Sequence, residues 1–179
     1  MTILLYTVLA IVAVTMLFLI VAALQPADFQ YVRSTTINAP PSAVFAEVND
    51  FHRWDDWSPW AKLDPNSKTE FSGPTAGEGA GFRWSGNSEV GEGSMKIVES
   101  RPYERIAIEL QFLRPMKATN ESVFTFEPQG SGTLVTWSMT GRNGLMGKAF
   151  GLIVNCDKML GTQFEKGLAS MKSLVEAKT

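Results

Sequence analysis

Residues 105–140 read RIAIELQFLRPMKATNESVFTFEPQGSGTLVTWSMT, and their spacing decides the fold. In 105–112, Ile106, Ile108, Leu110 and Phe112 take alternate positions, with Arg105, Glu109 and Gln111 pointing the other way. Phe124 and Phe126 share a face in 119–126, as do Val135, Trp137 and Met139 in 133–140. A period of two is that of a strand with one buried face. Arg114-Pro115 and Gln129-Gly130-Ser131-Gly132 separate the runs. Connections this short join antiparallel neighbours.

The pattern continues toward the N-terminus. Runs at 93–99 (Met95 and Ile97 on one face), 81–84 (Phe82 and Trp84) and 68–71 are parted by Arg101-Pro102, Gly86-Asn87 and Gly73-Pro74. Residues 29–38 form a further strand, rich in β-branched types. Between it and 68–71, Pro40-Pro41 opens a helix carrying Val44, Phe45 and Val48, because proline fits a first helical turn but not a strand interior. A second short helix or turn covers 54–60. Toward the C-terminus, Phe150, Ile153, Val154, Leu160, Phe164, Leu168, Met171 and Val175 recur at three and four residues, predicting one long amphipathic helix over 145–177. Gly151, Gly161 and Gly167 mark either a break or close packing there. The expected order is strand, two short helices, six strands, one long helix. That is an α+β domain in which a seven-stranded antiparallel sheet curls around its one long helix and encloses space between them.

Residues 2–24 hold no charged side chain and are almost wholly apolar. As a helix they rise about 33 Å, against a hydrocarbon core about 30 Å thick. A cleaved signal peptide is the rival reading, but it calls for a basic start, a shorter apolar core and an A-x-A-like site. Here no Lys or Arg precedes the run, and Val21-Ala22-Ala23-Leu24-Gln25-Pro26 is a poor cleavage site. Residues 1–25 therefore read as a single-pass transmembrane anchor, 26–28 as a linker and 29–179 as the domain. With Arg33 the first flanking base, the positive-inside rule favours neither orientation.

All the charge lies beyond the anchor, 16 Lys and Arg against 18 Asp and Glu. A mildly acidic domain argues against a nucleic-acid partner, and no basic cluster follows the anchor to hold anionic headgroups. Cys156 is the sole cysteine, so no intrachain disulfide forms.

Ile37-Asn38-Ala39-Pro40-Pro41-Ser42-Ala43-Val44-Phe45, then Val48, Asp50-Phe51 and Trp54 through Trp57-Ser58-Pro59-Trp60, resemble the start of the SRPBCC superfamily's polyketide cyclase/dehydrase and lipid-transport (START-like, Bet v 1-like) group. Gly91-Glu92-Gly93, Pro102 and 132–137 agree more weakly. The likeness spans about 29–175. It implies the helix-grip fold and a cavity for a lipid or other apolar small molecule, in a carrier or sensor; it does not imply an enzyme. A cyclase or dehydratase using a cavity acid, and an interaction domain with a filled core, are the alternatives.

Strand parity and the helical pattern place Trp84, Met95, Ile97, Ile108, Leu110, Phe112, Phe124, Phe126, Trp137, Met139, Phe150, Ile153, Leu160 and Phe164 around the space under the helix. The same stripes serve equally to fill a core. Asp157 projects onto the centre of the apolar helix face, where a carboxylate is costly to bury unless paired or solvated. It is either a ligand-orienting or catalytic acid, or the partner of a strand residue, or it leaves the apolar face because the helix breaks near Gly151 or Gly161. Asp55 and Asp56 read as residues of a helix start, His52 as a junction residue and Cys156 as a small apolar filler. The Trp54, Trp57, Trp60 cluster seals the short helices to the sheet, or forms a lid. No hydrolase, metal or phosphate-loop motif is present, and the glycine-rich run 73–81 leads into no helix with a Lys-Ser/Thr ending. No cofactor or metal is expected.

Overall fold

The computed structural model describes residues 2–178, so the expected outer bounds at Met1 and Thr179 lie outside the described residues. An apolar helix α1 (Thr2–Leu24) leads into β1 (Asp28–Ile37). Helix α2 (Pro41–Asn49), a 3-10 turn (Phe51–Arg53) and α3 (Trp54–Trp57) follow. Strands β2 (Lys68–Ser72), β3 (Gly81–Ser85), β4 (Glu92–Arg101), β5 (Arg105–Arg114), β6 (Ala118–Gln129) and β7 (Gly132–Arg142) form the meander, and α4 (Leu145–Ile153) and α5 (Cys156–Glu176) close the chain.

The seven strands form one antiparallel sheet in the order β1-β7-β6-β5-β4-β3-β2. The first and second strands thus occupy opposite edges. The segment α2–α3 must cross from one edge to the other, and it does so at the end where β1 finishes. Its tryptophans dock there: Trp54 Nε1 donates to the carbonyl of Val48 and Trp57 Nε1 to that of Glu47, both at 3.1 Å. Helix α5 lies along the concave face against β1 and α3. Its two buried glycines are sites of close approach. A side chain at Gly161 would collide with the Arg33 guanidinium, and one at Gly167 would press on the Trp137 ring.

One expectation is corrected. The tail is not one helix over 145–177. Val154 is extended, and the Asn155 side chain accepts from the backbone N–H of Lys158 at 2.9 Å, so a new helix starts at Cys156. An N-cap side chain of this kind satisfies one of the orphan donors of a first turn. The second short element, expected as a helix or turn over 54–60, is a helix to Trp57, where Ser58 is extended ahead of Pro59, and turns follow.

On the rim between β4 and β5, Glu99 accepts from Arg105 Nε at 2.8 Å and from Arg101 Nε. Arg105 first, then Arg101, hold its carboxyl below the ordinary value of 4.5. A depressed carboxylate adds stability that is complete above the ordinary value and disappears as pH falls through the lowered one. Glu99→Gln is therefore expected to lower the melting temperature slightly at neutral pH, where the ion pairs are intact, and to converge with the unaltered protein as pH falls below 4.5, which flattens the acid limb of the thermal-stability profile.

Candidate functional site

The inward-facing side chains are buried unevenly along the strands. At the end crossed by α2 and α3, Ile37, Ile97, Ile106, Ile108, Phe124 and Val135 are fully buried. Two residues further along their strands, Met95 and Leu110 are only partly buried, and Phe112, Trp84, Tyr31 and Phe29 share that state. The grip is thus packed shut at one end and open at the other. Topology explains the difference: α5 begins only at Cys156, and the α2–α3 crossing caps one end alone.

The closed end is filled with rings. Trp137 stacks on Phe164 of α5 with centroids 4.2 Å apart and on Phe124 of β6 at 4.8 Å. Trp54, Trp57 and Trp60 meet Trp137 edge-on. Trp137 Nε1 donates to Ser122 Oγ at 2.9 Å, so its polar edge is satisfied. The tryptophan cluster is a seal, as one of the two readings held.

At the open end the inward apolar side chains form a partly exposed strip. Phe29 and Tyr31 stack on β1 at 4.9 Å, and Trp84 meets Phe112 edge-on at 5.9 Å, across the mouth of the sheet. Trp84 Nε1 donates to the Val90 carbonyl at 3.1 Å, which orients the indole. Asn120 is buried near Phe29, and its Nδ2 meets the Met139 sulfur at 4.0 Å. Burial, and next the neighbouring Cys156 thiol, push the Tyr31 hydroxyl pKa up, so Tyr31 stays a neutral donor at physiological pH.

Of the residues assigned to the site, Ile97, Ile108, Phe124, Phe126, Trp137, Met139 and Phe164 are together in the buried core. Trp84, Met95, Leu110, Phe112 and Leu160 are partly exposed. Phe150 and Ile153 are elsewhere: they sit on α4, 44% and 75% exposed, because the break at Asn155 turns that helix off the sheet. Asp157 is not centred on a buried face. It is exposed in the first turn of α5 and pairs with Arg33, whose Nη1 and Nη2 each reach it at 3.1 Å. Arg33 also donates from Nε to Glu165 at 2.8 Å. These carboxylates, Asp157 foremost, raise the Arg33 pKa. Asp157 thus has the strand partner that was the alternative to a functional acid, and Asp157→Asn is expected to leave binding of an apolar probe and its pH profile unchanged.

Phe29, Tyr31, Arg33 and Asn120 were not picked out from the sequence. The alternation of Phe29, Tyr31 and Arg33 was the available signal, since all three pair across to inward positions of β7. His52 Nδ1 lies 2.7 Å from Asp50 Oδ1 and its ring stacks on Phe71, as a junction residue would. Among the described residues, no group of three or more His, Cys, Asp or Glu is placed to hold a metal ion.

A shallow depression of about 620 Å³ is lined by Val98, Glu109, Glu121 and Thr140, which the pleat turns outward, and it reaches Phe29 and Asn120 at the open end of the grip. A second, of about 170 Å³, lies beside His52 and Phe71.

A family model described as polyketide cyclase / dehydrase and lipid transport matches residues 28–176. The chain belongs to this family. The match takes in the sheet and α5 but not α1. No curated protein matches the chain. Among solved structures, protein CV1439 from Chromobacterium violaceum superposes with a TM-score of 0.59 at 16% identity, covering 85% of this chain and 99% of its own. An uncharacterised protein from Rhizobium leguminosarum gives 0.59 at 15%, covering 84% and 95%. The Aha1 dimer from Colwellia psychrerythraea gives 0.57 at 16%, covering 83% and 96%. At such identities these likenesses establish the helix-grip fold and nothing finer.

Proposed function

We propose that this protein is a membrane-tethered binding domain, a carrier or sensor, that takes a lipid or similar apolar molecule into the open half of its grip. The observation that carries the reading is the burial gradient: one continuous apolar layer is sealed by rings at one end and left partly exposed at the other. Met, Phe, Tyr and Trp at the open end suit an adaptable apolar ligand, and the weakly held Asn120 amide offers a donor to a ligand carbonyl or carboxylate.

Helix α1 supports the tether. It is long and apolar enough to cross a membrane, a property that signal sequences share. Yet its C-terminal end is built into the rest of the protein. Ala22 is buried, α1 packs on α4, and Lys148 Nζ donates to the Ala23 carbonyl at 3.1 Å. A segment destined for removal has no need of such contacts. Because β1 starts at Asp28, the partly exposed end of the grip, the proposed ligand groove, lies at the same end as the tether, within reach of the bilayer.

The filled closed end favours the interaction-domain reading, so the test must separate the two. The detergent-solubilised full-length chain is titrated with an NBD-labelled fatty acid, following NBD emission. Saturation near one probe per chain, reversed by unlabelled fatty acid, is expected. A linear, non-saturable rise would leave the filled-core reading standing.

A further inference from the structure

Helix α4 is unusual for a helix outside a membrane: among its residues none is buried. Leu145, Met146, Phe150, Leu152 and Ile153 are all large, apolar and exposed, Met146 by 68% and Ile153 by 75%. On a helical projection they gather with Ala149 into one continuous arc, leaving Gly147, Gly151 and Lys148 on the other side. From Gly144 to Asn155 the only charge is Lys148, and that amine reaches back to the Ala23 carbonyl. A nine-residue helix is too short to hold itself together in water, and an apolar patch of this continuity marks an interaction surface.

What covers the patch follows from its neighbour. Helix α4 packs against α1, and the only residues of α1 that lose exposure are Phe18 and Ala22, one turn apart near its C-terminal end. The Asn143 N–H donates to the Ala27 carbonyl at 2.8 Å, fixing the start of α4 beside the α1–β1 linker. The apolar arc is therefore continuous with the lipid-facing surface of the last turns of a spanning helix.

We infer that α4 is a second membrane element, lying in the interface of the leaflet where α1 ends, with Leu145, Met146, Phe150 and Ile153 at the boundary of headgroups and acyl chains. This rests on the reading of α1 as a membrane anchor. A helix with one apolar arc and little charge settles at that depth rather than spanning. Two attachments then fix the domain's orientation, where one helix and a short linker would leave it free to swing. The mouth of the groove is held against the leaflet from which a ligand would come.

The test uses the full-length chain in phosphatidylcholine vesicles, with Cys156→Ser as background and a single NBD label at Leu9→Cys, Ile153→Cys or Ser173→Cys. Quenching by aqueous iodide is compared with quenching by phosphatidylcholine carrying a doxyl group high on its acyl chain. The Ile153 site should lose most of its emission to the doxyl lipid and little to iodide, while the exposed Ser173 site on α5 does the reverse. A lipid-quenched Leu9 site with an iodide-quenched Ile153 site would overturn the inference and leave the anchor standing. An iodide-quenched Leu9 site would overturn both. An Ile153 site shielded from both quenchers, with energy transfer between labelled copies, would show that a second chain covers the patch and would also overturn it.

Discussion

Trp137→Ala is expected to destabilise the domain by about 3–5 kcal/mol, as large-to-small changes in a packed core do. For a domain of this size that lowers the melting temperature by about 6–20 °C. The magnitude follows from where the ring sits. Phe164 from α5 lies nearly parallel to it, at an interplanar angle of 10°, and Phe124 from β6 at 27°. Three tryptophans of the α2–α3 crossing meet its edge. Neighbours drawn from a strand, a helix and a loop cannot collapse together into the space without moving all three. Ser122 also loses its indole partner. Phe112→Ala, at the open end where the ring is already partly in water, removes less buried area and should cost about 1–2 kcal/mol. Thermal unfolding of the two variants measures the difference. Equal losses would mean that the two ends of the grip are packed alike.

Leu110→Trp is expected to do the opposite: little to stability, much to binding. Leu110 lies across from Met95 on β4 and Asn120 on β6, at the open end of the grip. It is partly exposed, so an indole there has room to project outward rather than into the core. It would occupy the space proposed for the ligand and weaken binding of the NBD-labelled fatty acid by about tenfold or more, about 1.4 kcal/mol. Unchanged affinity with an unchanged melting temperature would place the ligand elsewhere.

These expectations draw on features that differ in how far the sequence discloses them. The sheet was legible because period-two alternation is local: Ile106, Ile108, Leu110 and Phe112 declare a buried face within eight residues. The tail was half legible. Its apolar spacing runs through Asn155 without interruption, and only the capping preference of that side chain, with Lys158 as its partner, signals a second helix. Continuing the period across the break put Phe150 and Ile153 in the core, although each belongs to a helix with its own axis. Asp157 was misplaced for the same reason. Its projection onto an apolar face assumed that the helix was already covered there, whereas it stands in a first turn facing Arg33. The gradient from closed to open could not be read from composition, because Leu110 and Ile108 are the same chemistry at adjacent inward positions. Only the placement of α5 and the α2–α3 crossing makes one buried and the other not. Gly161 and Gly167, which read as either breaks or close packing, proved to be close packing against Arg33 and Trp137.

On the proposed reading, the anchor, the open end of the grip and α4 together carry apolar surface from the sealed aromatic core to the lipid. In that arrangement the membrane is more than an address: an acyl chain entering the groove would leave the bilayer with little exposure to water. The most direct test is native mass spectrometry of the full-length chain released from nanodiscs, beside Leu110→Trp prepared identically. The account predicts a single lipid adduct on the unaltered chain that persists at collision energies stripping annular lipid, and its loss from Leu110→Trp. A bare unaltered chain, or an adduct equally retained by both proteins, would contradict it.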